Sequence, residues 1–138
     1  MSYAIMEAMT EESTTLYEAI GGEARVREMV DRFYDLMDLE SEFQLLRSVH
    51  GPSLDNANNR LFMFLSGWMG GPDLYQEAHG HPRLRMRHMP FAIGTRERDQ
   101  WLRCMAWAME DVGIDAELRV RLMNSFFQTA DWMRNKPD

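Results

Sequence analysis

Apolar residues along the chain recur at steps of three and four positions, which is the spacing of an α-helix. The clearest apolar stripe follows Gly22 and consists of Val26, Met29, Val30, Phe33, Tyr34 and Met37. No stretch alternates apolar and polar residues for long enough to predict a β-strand. The pattern therefore predicts an all-α protein with four substantial helices and two or three short ones.

Helix-capping and helix-breaking residues divide the first half of this pattern into elements. Gly21-Gly22 separates a short first helix, capped by Thr14 or Thr15, from the long second helix. A third helix is predicted to start at Pro52-Ser53 and to end before Gly70-Gly71-Pro72. Its expected core-facing residues are Leu54, Ala57, Leu61, Phe64, Leu65 and Trp68.

The second half of the chain is predicted to contain one short helix and two long ones. Prolines at 82 and 90 confine the short helix to 83–89, because proline interrupts helices. The preceding segment, 73–80, is predicted to be a loop with one turn. In the last helix Phe127 is expected beside the apolar stripe, and the tail over 135–138 is expected to fray.

Charge and cysteine content exclude several classes of protein. The net charge of −7 argues against a nucleic-acid-binding protein, which needs clustered lysine and arginine. The single cysteine, Cys104, is typical of a reducing compartment. Residues 1–13 contain three glutamates and no basic residue, and no apolar run approaches the ~20 residues of a membrane span. We therefore expect a cytoplasmic protein that binds neither nucleic acid nor membrane.

Positive charge is concentrated over 79–103, where six arginines accompany only two acidic residues. Either a solvated face that contacts acidic neighbours or a bound anion would explain this excess. His88 lies in the same segment, next to Arg87 and just before Pro90. A haem would explain both features, because its iron accepts an imidazole and its propionates attract arginine. A histidine with a purely structural role at a helix end is the alternative.

Four motifs occur in order along the chain. They are YEAIGG at 17–22, RFY at 32–34, MFLSGWMGGP at 63–72, and GHPRLRMRHMPF at 80–91 followed by RDQWLRCM at 98–105. In this order they resemble the group II truncated haemoglobins, and the resemblance covers about 16–132.

This resemblance implies a truncated globin, an all-α two-over-two helical sandwich around haem b (iron protoporphyrin IX). The globin domain would occupy 14–134, with an N-terminal extension over 1–13 and a C-terminal tail over 135–138. His88 would be the iron ligand, and Arg87 would contact a haem propionate. The further residues that the resemblance places against the haem are Leu61, Phe64, Leu84, Phe91 and Met105.

The resemblance also identifies the distal side, where a diatomic ligand would bind. Tyr34 and Trp101 would project into it, and each can donate one hydrogen bond. Ala57 falls where many globins have a distal histidine, so its helix would offer no donor. His50 would lie at the mouth of the distal side, although the loop before it looks slightly longer than in relatives; an exposed loop position is the alternative.

Several distal donors favour ligand capture or redox chemistry over bulk transport, because they would hold oxygen too tightly for delivery. The expected ligands at a five-coordinate iron are oxygen, nitric oxide and carbon monoxide, with peroxide as a further candidate. The sequence does not decide whether the protein is an enzyme. Peroxidase-like or nitric oxide dioxygenase-like activity would require an external reductant, such as a separate reductase.

A function of another class would need no haem. The chain has 13 methionines, spread along the predicted apolar faces, and methionine-rich surfaces adapt to irregular partners. The alternative is therefore a haem-free, acidic helical interaction module with a Met-rich groove. It explains the methionines but not the segment around His88.

Overall fold

The computed structural model describes residues 15–137, and these residues form eight α-helices, one 3-10 turn and no strand. The predicted all-α class is therefore confirmed. The N-terminal extension predicted over 1–13 and the capping candidate Thr14 lie outside the described residues. The helices are α1 (Leu16–Ile20), α2 (Gly22–Leu39), α3 (Gln44–Ser48), α4 (Asp55–Trp68), α5 (Leu74–His79), α6 (Leu84–His88), α7 (Thr95–Asp111) and α8 (Ala116–Trp132), with the 3-10 turn at Ser41–Phe43.

Polar side chains and a glycine set the helix ends, as the sequence predicts. The hydroxyl of Thr15 accepts a hydrogen bond from the backbone N–H of Glu18 (3.1 Å) at the start of α1. Gly21, with φ 119°, ends that helix in left-handed backbone that a larger residue would adopt only with strain. The Asp115 carboxylate accepts from the N–H of Glu117 (3.2 Å) and caps α8.

The four long helices form two packed pairs. α2 packs against both α4 and α7, and α7 packs against α8, so the α2–α4 pair lies over the α7–α8 pair. The fully buried side chains between them include Val26, Met29, Val30, Phe33, Met37, Met105, Met109 and Leu122. None of the helices in the described part is long and apolar enough to cross a membrane.

α4 packs its predicted apolar face against the core, but it also buries two residues outside that face. Its buried residues are Phe62, Leu65 and Ser66, whereas Phe64 and Trp68 are only half-buried. A serine is tolerated there because its hydroxyl donates to the carbonyl oxygen of Pro72 at 2.6 Å. The half-buried residues also face a cavity, which is described below.

The structure also differs from the prediction in segment 73–80, which contains helix α5 rather than a loop with one turn; Tyr75 of that helix is buried. Phe127, predicted beside the apolar stripe of the last helix, is 46% exposed. The guanidinium of Arg98 lies 5.1 Å from the centre of its ring and partly covers it.

The C-terminal tail is bonded rather than frayed over its first two residues. The backbone N–H groups of Asn135 and Lys136 both donate to the carbonyl oxygen of Ile93, at 2.8 and 3.1 Å. Ile93 lies in the loop that follows α6, so the end of the chain lies against the segment that carries His88.

Candidate functional site

His88 is the last residue of α6, a five-residue helix whose ends are set by local backbone geometry. Before the helix, Arg83 adopts left-handed backbone (φ 46°), and its N–H donates to Nδ1 of His81 at 3.0 Å. After the helix, Pro90 prevents continuation. The structure therefore places the predicted iron ligand at the end of a short helix, close to the predicted bounds.

The ring of His88 is oriented by its own helix. Its Nδ1 lies 2.6 Å from the carbonyl oxygen of Leu84, one turn earlier. Because a carbonyl oxygen can only accept, Nδ1 must carry the proton, and Nε2 keeps the lone pair that a metal ion requires. This arrangement, in which one ring nitrogen is held so that the other can bind metal, is the usual one for histidine ligands.

Tyr34 lies on α2 and is almost completely buried, with 8% of its surface exposed. Its ring makes an edge contact with Phe33, with ring centres 4.9 Å apart. Burial, with a smaller contribution from Cys104, raises the pKa of Tyr34 above its usual value. The phenol therefore keeps its proton at neutral pH and can act as a hydrogen-bond donor.

His50 lies in the loop after α3 and contacts Tyr34. The two ring centres are 6.1 Å apart, at an interplanar angle of 82°. The Nδ1 of His50 is 3.0 Å from the carbonyl oxygen of Leu46, which orients the ring. Burial lowers the pKa of His50, with the charges of Arg47 and His88 acting in the same direction against that hydrogen bond. His50 is half-buried rather than exposed.

Trp101 of α7 reaches the same region through neighbouring aromatic rings. Its ring centre is 5.2 Å from that of Phe33 and 5.4 Å from that of Phe126. Phe126 in turn stacks on Trp68 at 4.8 Å. Side chains from α2, α4, α7 and α8 thus form one continuous aromatic cluster, with the predicted distal donors Tyr34 and Trp101 on either side of Phe33.

A cavity of about 990 Å³ lies between α4, α6 and α8. Its volume is at the upper end of the range of about 300–1,000 Å³ that is common for ligand and cofactor sites. Of the predicted haem contacts, Phe64 and Leu84 line it, whereas His88, Tyr34 and Trp101 do not. The lining is largely apolar and aromatic, with Arg83 and Arg85 as its charged side chains.

The remaining predicted haem contacts differ in burial. Met105 is fully buried in the core, Leu61 and Ala57 are half-buried, and Phe91 is 44% exposed. Arg87, the predicted propionate partner, is exposed, and its guanidinium lies 5.8 Å from the centre of the Tyr75 ring.

The chemistry of these groups fits a haem. A porphyrin supplies most of the ligands of its own iron, so one protein nitrogen such as Nε2 of His88 is sufficient. Among residues 15–137, no group of three or more His, Cys, Asp or Glu side chains is placed to bind a bare metal ion. Aromatic walls suit the faces of the macrocycle, and the arginines of the α6 segment suit its propionates.

Two residues that support the site were not predicted from the sequence. The side-chain oxygen of Gln100 on α7 accepts from the N–H of Leu46 (2.9 Å), and so fixes the helix that precedes His50. The side-chain amide of Asn135 donates to the carbonyl oxygen of His88 at 3.2 Å. Neither residue belongs to an apolar stripe or a capping pattern, so the sequence contains no signal for these contacts.

Comparisons with known proteins show the family and the fold of this chain. The family model described as bacterial-like globin matches residues 15–135. The group 2 truncated hemoglobin YjbI of Bacillus subtilis (strain 168) is 39% identical over 122 residues, which cover 88% of this chain and 89% of that protein.

Solved structures give the same similarity in three dimensions. The group II 2-on-2 hemoglobin from the plant pathogen Agrobacterium tumefaciens has a TM-score of 0.87 and 42% identity, covering 92% of this chain and 98% of the other. The cold-adapted truncated hemoglobin from the Antarctic marine bacterium Pseudoalteromonas haloplanktis TAC125 has a TM-score of 0.85 and 44% identity, covering 89% and 99%. The similarity spans nearly all of the described residues.

Proposed function

We propose that this chain, which belongs to the bacterial-like globin family as a group II truncated haemoglobin, binds haem b through His88 and retains diatomic ligands on the opposite face. The resemblance predicted from four motifs is confirmed, and the fold is the two-over-two sandwich of the truncated globins. Family membership supports a haem cofactor and haem-based oxygen binding. It does not favour the haem-free interaction module.

The observation that carries the proposal is the 2.6 Å contact between Nδ1 of His88 and the carbonyl oxygen of Leu84. It occupies Nδ1 and so leaves Nε2 as the nitrogen of the neutral ring that can bind iron. When bound, haem supplies an iron that coordinates oxygen and other diatomic gases. A single protein ligand leaves that iron five-coordinate and open on its distal face.

On the distal side we assign hydrogen-bond donation to Tyr34 and Trp101. Tyr34 is buried and Trp101 is half-buried, and both contact the fully buried ring of Phe33, which restricts their orientation before a ligand arrives. Ala57 on α4 has no polar group to contribute. A hydrogen bond to a charged acceptor contributes roughly 1.5–3 kcal/mol, so one such donor slows ligand release by about ten- to a hundredfold.

Two donors of this strength favour a protein that captures a ligand or takes part in redox chemistry over one that delivers oxygen. We assign three further ligands to the same distal side: nitric oxide, carbon monoxide and peroxide. Turnover of nitric oxide or peroxide would require electrons from an external reductant, and a separate reductase is the class of partner that could supply them. His50 is the distal group whose charge changes nearest to neutral pH.

Absorption spectroscopy of the purified protein and of His88→Ala tests the proposal. The parent protein should show a Soret band and a ferrous spectrum typical of histidine ligation, whereas His88→Ala should lose normal haem incorporation. His79→Ala is the matched control, because His79 is an exposed histidine on the neighbouring helix α5, and it should leave the spectra unchanged. An unchanged histidine-ligated spectrum in His88→Ala would reject the assignment, and a protein that takes up no haem would reject the function.

A further inference from the structure

The side chain of Asn135 uses all of its hydrogen-bonding groups on the loop that follows His88. Its Oδ1 accepts from the N–H of Ile93 at 3.0 Å. Its Nδ2 donates to two carbonyl oxygens, that of His88 at 3.2 Å and that of Phe91 at 2.8 Å. One side chain from the C-terminal tail therefore fixes the end of α6 and the loop beyond it.

The backbone of the tail adds to this attachment at the same loop. The carbonyl oxygen of Ile93 accepts from the N–H groups of both Asn135 and Lys136. The N–H of Ile93 is held by the Asn135 side chain, so both backbone groups of Ile93 are paired with the tail. The loop after His88 and the end of the chain are thus joined as one hydrogen-bonded unit.

The other part of α6 is attached to the residues just before the tail. The guanidinium of Arg85 donates to the carbonyl oxygens of Trp132 and Arg134, the second at 3.2 Å. Trp132 is the last residue of α8, where helix geometry leaves carbonyl oxygens without a partner inside the helix, and Arg134 follows two residues later. Hydrogen bonds therefore hold α6 at two points, Arg85 near its start and His88 at its end.

The segment just before the tail is fixed to α7 by an ion-pair network. The Asp131 carboxylate, on α8, lies 2.6 Å from the guanidinium of Arg98 on α7 and 2.8 Å from that of Arg134. The hydrogen bond from Arg98, followed by that from Arg134, lowers the pKa of Asp131, so its charge persists at neutral pH. The end of α8 is therefore attached to α7, and the tail that follows it is attached to the His88 loop.

We propose that Asn135 is a positioning residue for the proximal ligand, because its amide fixes the backbone of His88 and thereby the direction of Nε2. The inference rests on the proposed function, in which His88 binds the haem iron. None of the five residues of α6 is buried, so apolar packing does not supply this constraint. Asn135 does not touch the iron; it acts through the carbonyl oxygen of His88.

The experiment compares two Asn135 variants of the haem-loaded protein with Asn124→Ala, a matched exposed asparagine on α8. Three readouts are needed: hydrogen exchange at the Ile93 amide, the iron–histidine stretching band of the ferrous protein by resonance Raman, and haem transfer to apomyoglobin. Asn135→Ala should speed exchange at Ile93, shift the band and accelerate haem loss roughly tenfold, which corresponds to about 1.4 kcal/mol. Asn124→Ala should match the parent in all three.

Asn135→Asp separates the two roles of the amide. The carboxylate keeps an acceptor for the N–H of Ile93 but has no donor for the carbonyl oxygens of His88 and Phe91. Exchange at Ile93 should therefore stay slow while the iron–histidine band still shifts. This variant also decides the question if Asn135→Ala does not fold.

An unchanged band and an unchanged rate of haem loss in both variants would overturn the proposal and leave Asn135 a purely structural residue. Failure of His88 ligation would look different. The iron–histidine band would then be absent from the parent protein or would persist in His88→Ala, and that result would reject both inferences without any change at Asn135.

Discussion

The distal and proximal sides of the candidate haem site are held in place by different forces. Tyr34 lies on α2, which has seven buried residues, and its neighbour Phe33 has 0% exposure. His88 lies on α6, none of whose residues is buried, and hydrogen bonds from the C-terminal tail fix that helix. The packing that holds the distal side depends on many contacts, whereas the hydrogen bonding that holds the proximal side depends on a few. Apolar truncations should therefore damage the distal side, and single polar substitutions should damage the proximal side.

The largest difference is expected between two phenylalanine truncations. Phe33→Ala removes a fully buried ring that contacts both Tyr34 and Trp101, and should lower the free energy of unfolding by about 3–5 kcal/mol. Phe91→Ala removes a ring that is 44% exposed in the proximal loop and should cost roughly 1 kcal/mol or less. Urea unfolding of both haem-loaded variants measures the difference. Equal losses would mean that packing also holds the proximal loop.

A smaller effect is expected when the distal donors are removed and an aromatic ring is kept at each position. Tyr34→Phe and Trp101→Phe should each speed oxygen release by about tenfold or more, since each loses one hydrogen bond to the ligand. Their effects should not add, because the two donors share one acceptor. Stopped-flow oxygen dissociation is the measurement, and Trp107→Phe, which changes a half-buried tryptophan on the same helix, should behave like the parent. Parent rates in both distal variants would remove Tyr34 and Trp101 from the pocket.

The smallest expected effect is a pH dependence of stability and of the ferric spectrum, which we assign to His50 on the distal side. Burial lowers the pKa of His50 below its usual 6.5, so the ring is neutral at pH 7 and gains a proton only in acid. The unfolded chain binds that proton more readily, so stability falls as the pH drops through 6.5 towards the lower folded value. The ferric spectrum should show a transition below pH 6.5, which His50→Phe removes and His79→Phe retains. A transition that survives in His50→Phe would assign it to another group.

The elements that the sequence predicts best are those with a local signal. Such a signal comes from residues within a few positions of one another. It predicts the stripe of α2, the caps at Thr15 and Asp115, and the proline-bounded helix that ends at His88. The predicted apolar face of α4 does pack against the core, but the prediction missed the burial of Phe62 and Ser66, because periodicity gives an apolar stripe without naming its partner. There Phe62 and Ser66 face the core, and Phe64 also faces the cavity.

The parts of the site that the sequence does not predict depend on contacts between distant segments. Asn135 meets Ile93 across 42 positions, and Gln100 meets Leu46 across 54. A polar residue in a loop or on a half-exposed helix face has no periodicity that identifies such a partner. Arg85 shows the same limit, because an arginine-rich segment indicates an anion, whereas this arginine binds the carbonyl oxygens at the end of α8.

The single cysteine also has a practical consequence. Cys104 is fully buried on α7, its thiol donates to the carbonyl oxygen of Phe33 at 3.2 Å, and burial raises its pKa to about 12. Thiolates are the species that react with maleimides, peroxides and nitrosating agents, and almost none forms at neutral pH from such a group. A cysteine introduced on the surface can therefore be labelled with a fluorophore or spin probe without first replacing Cys104.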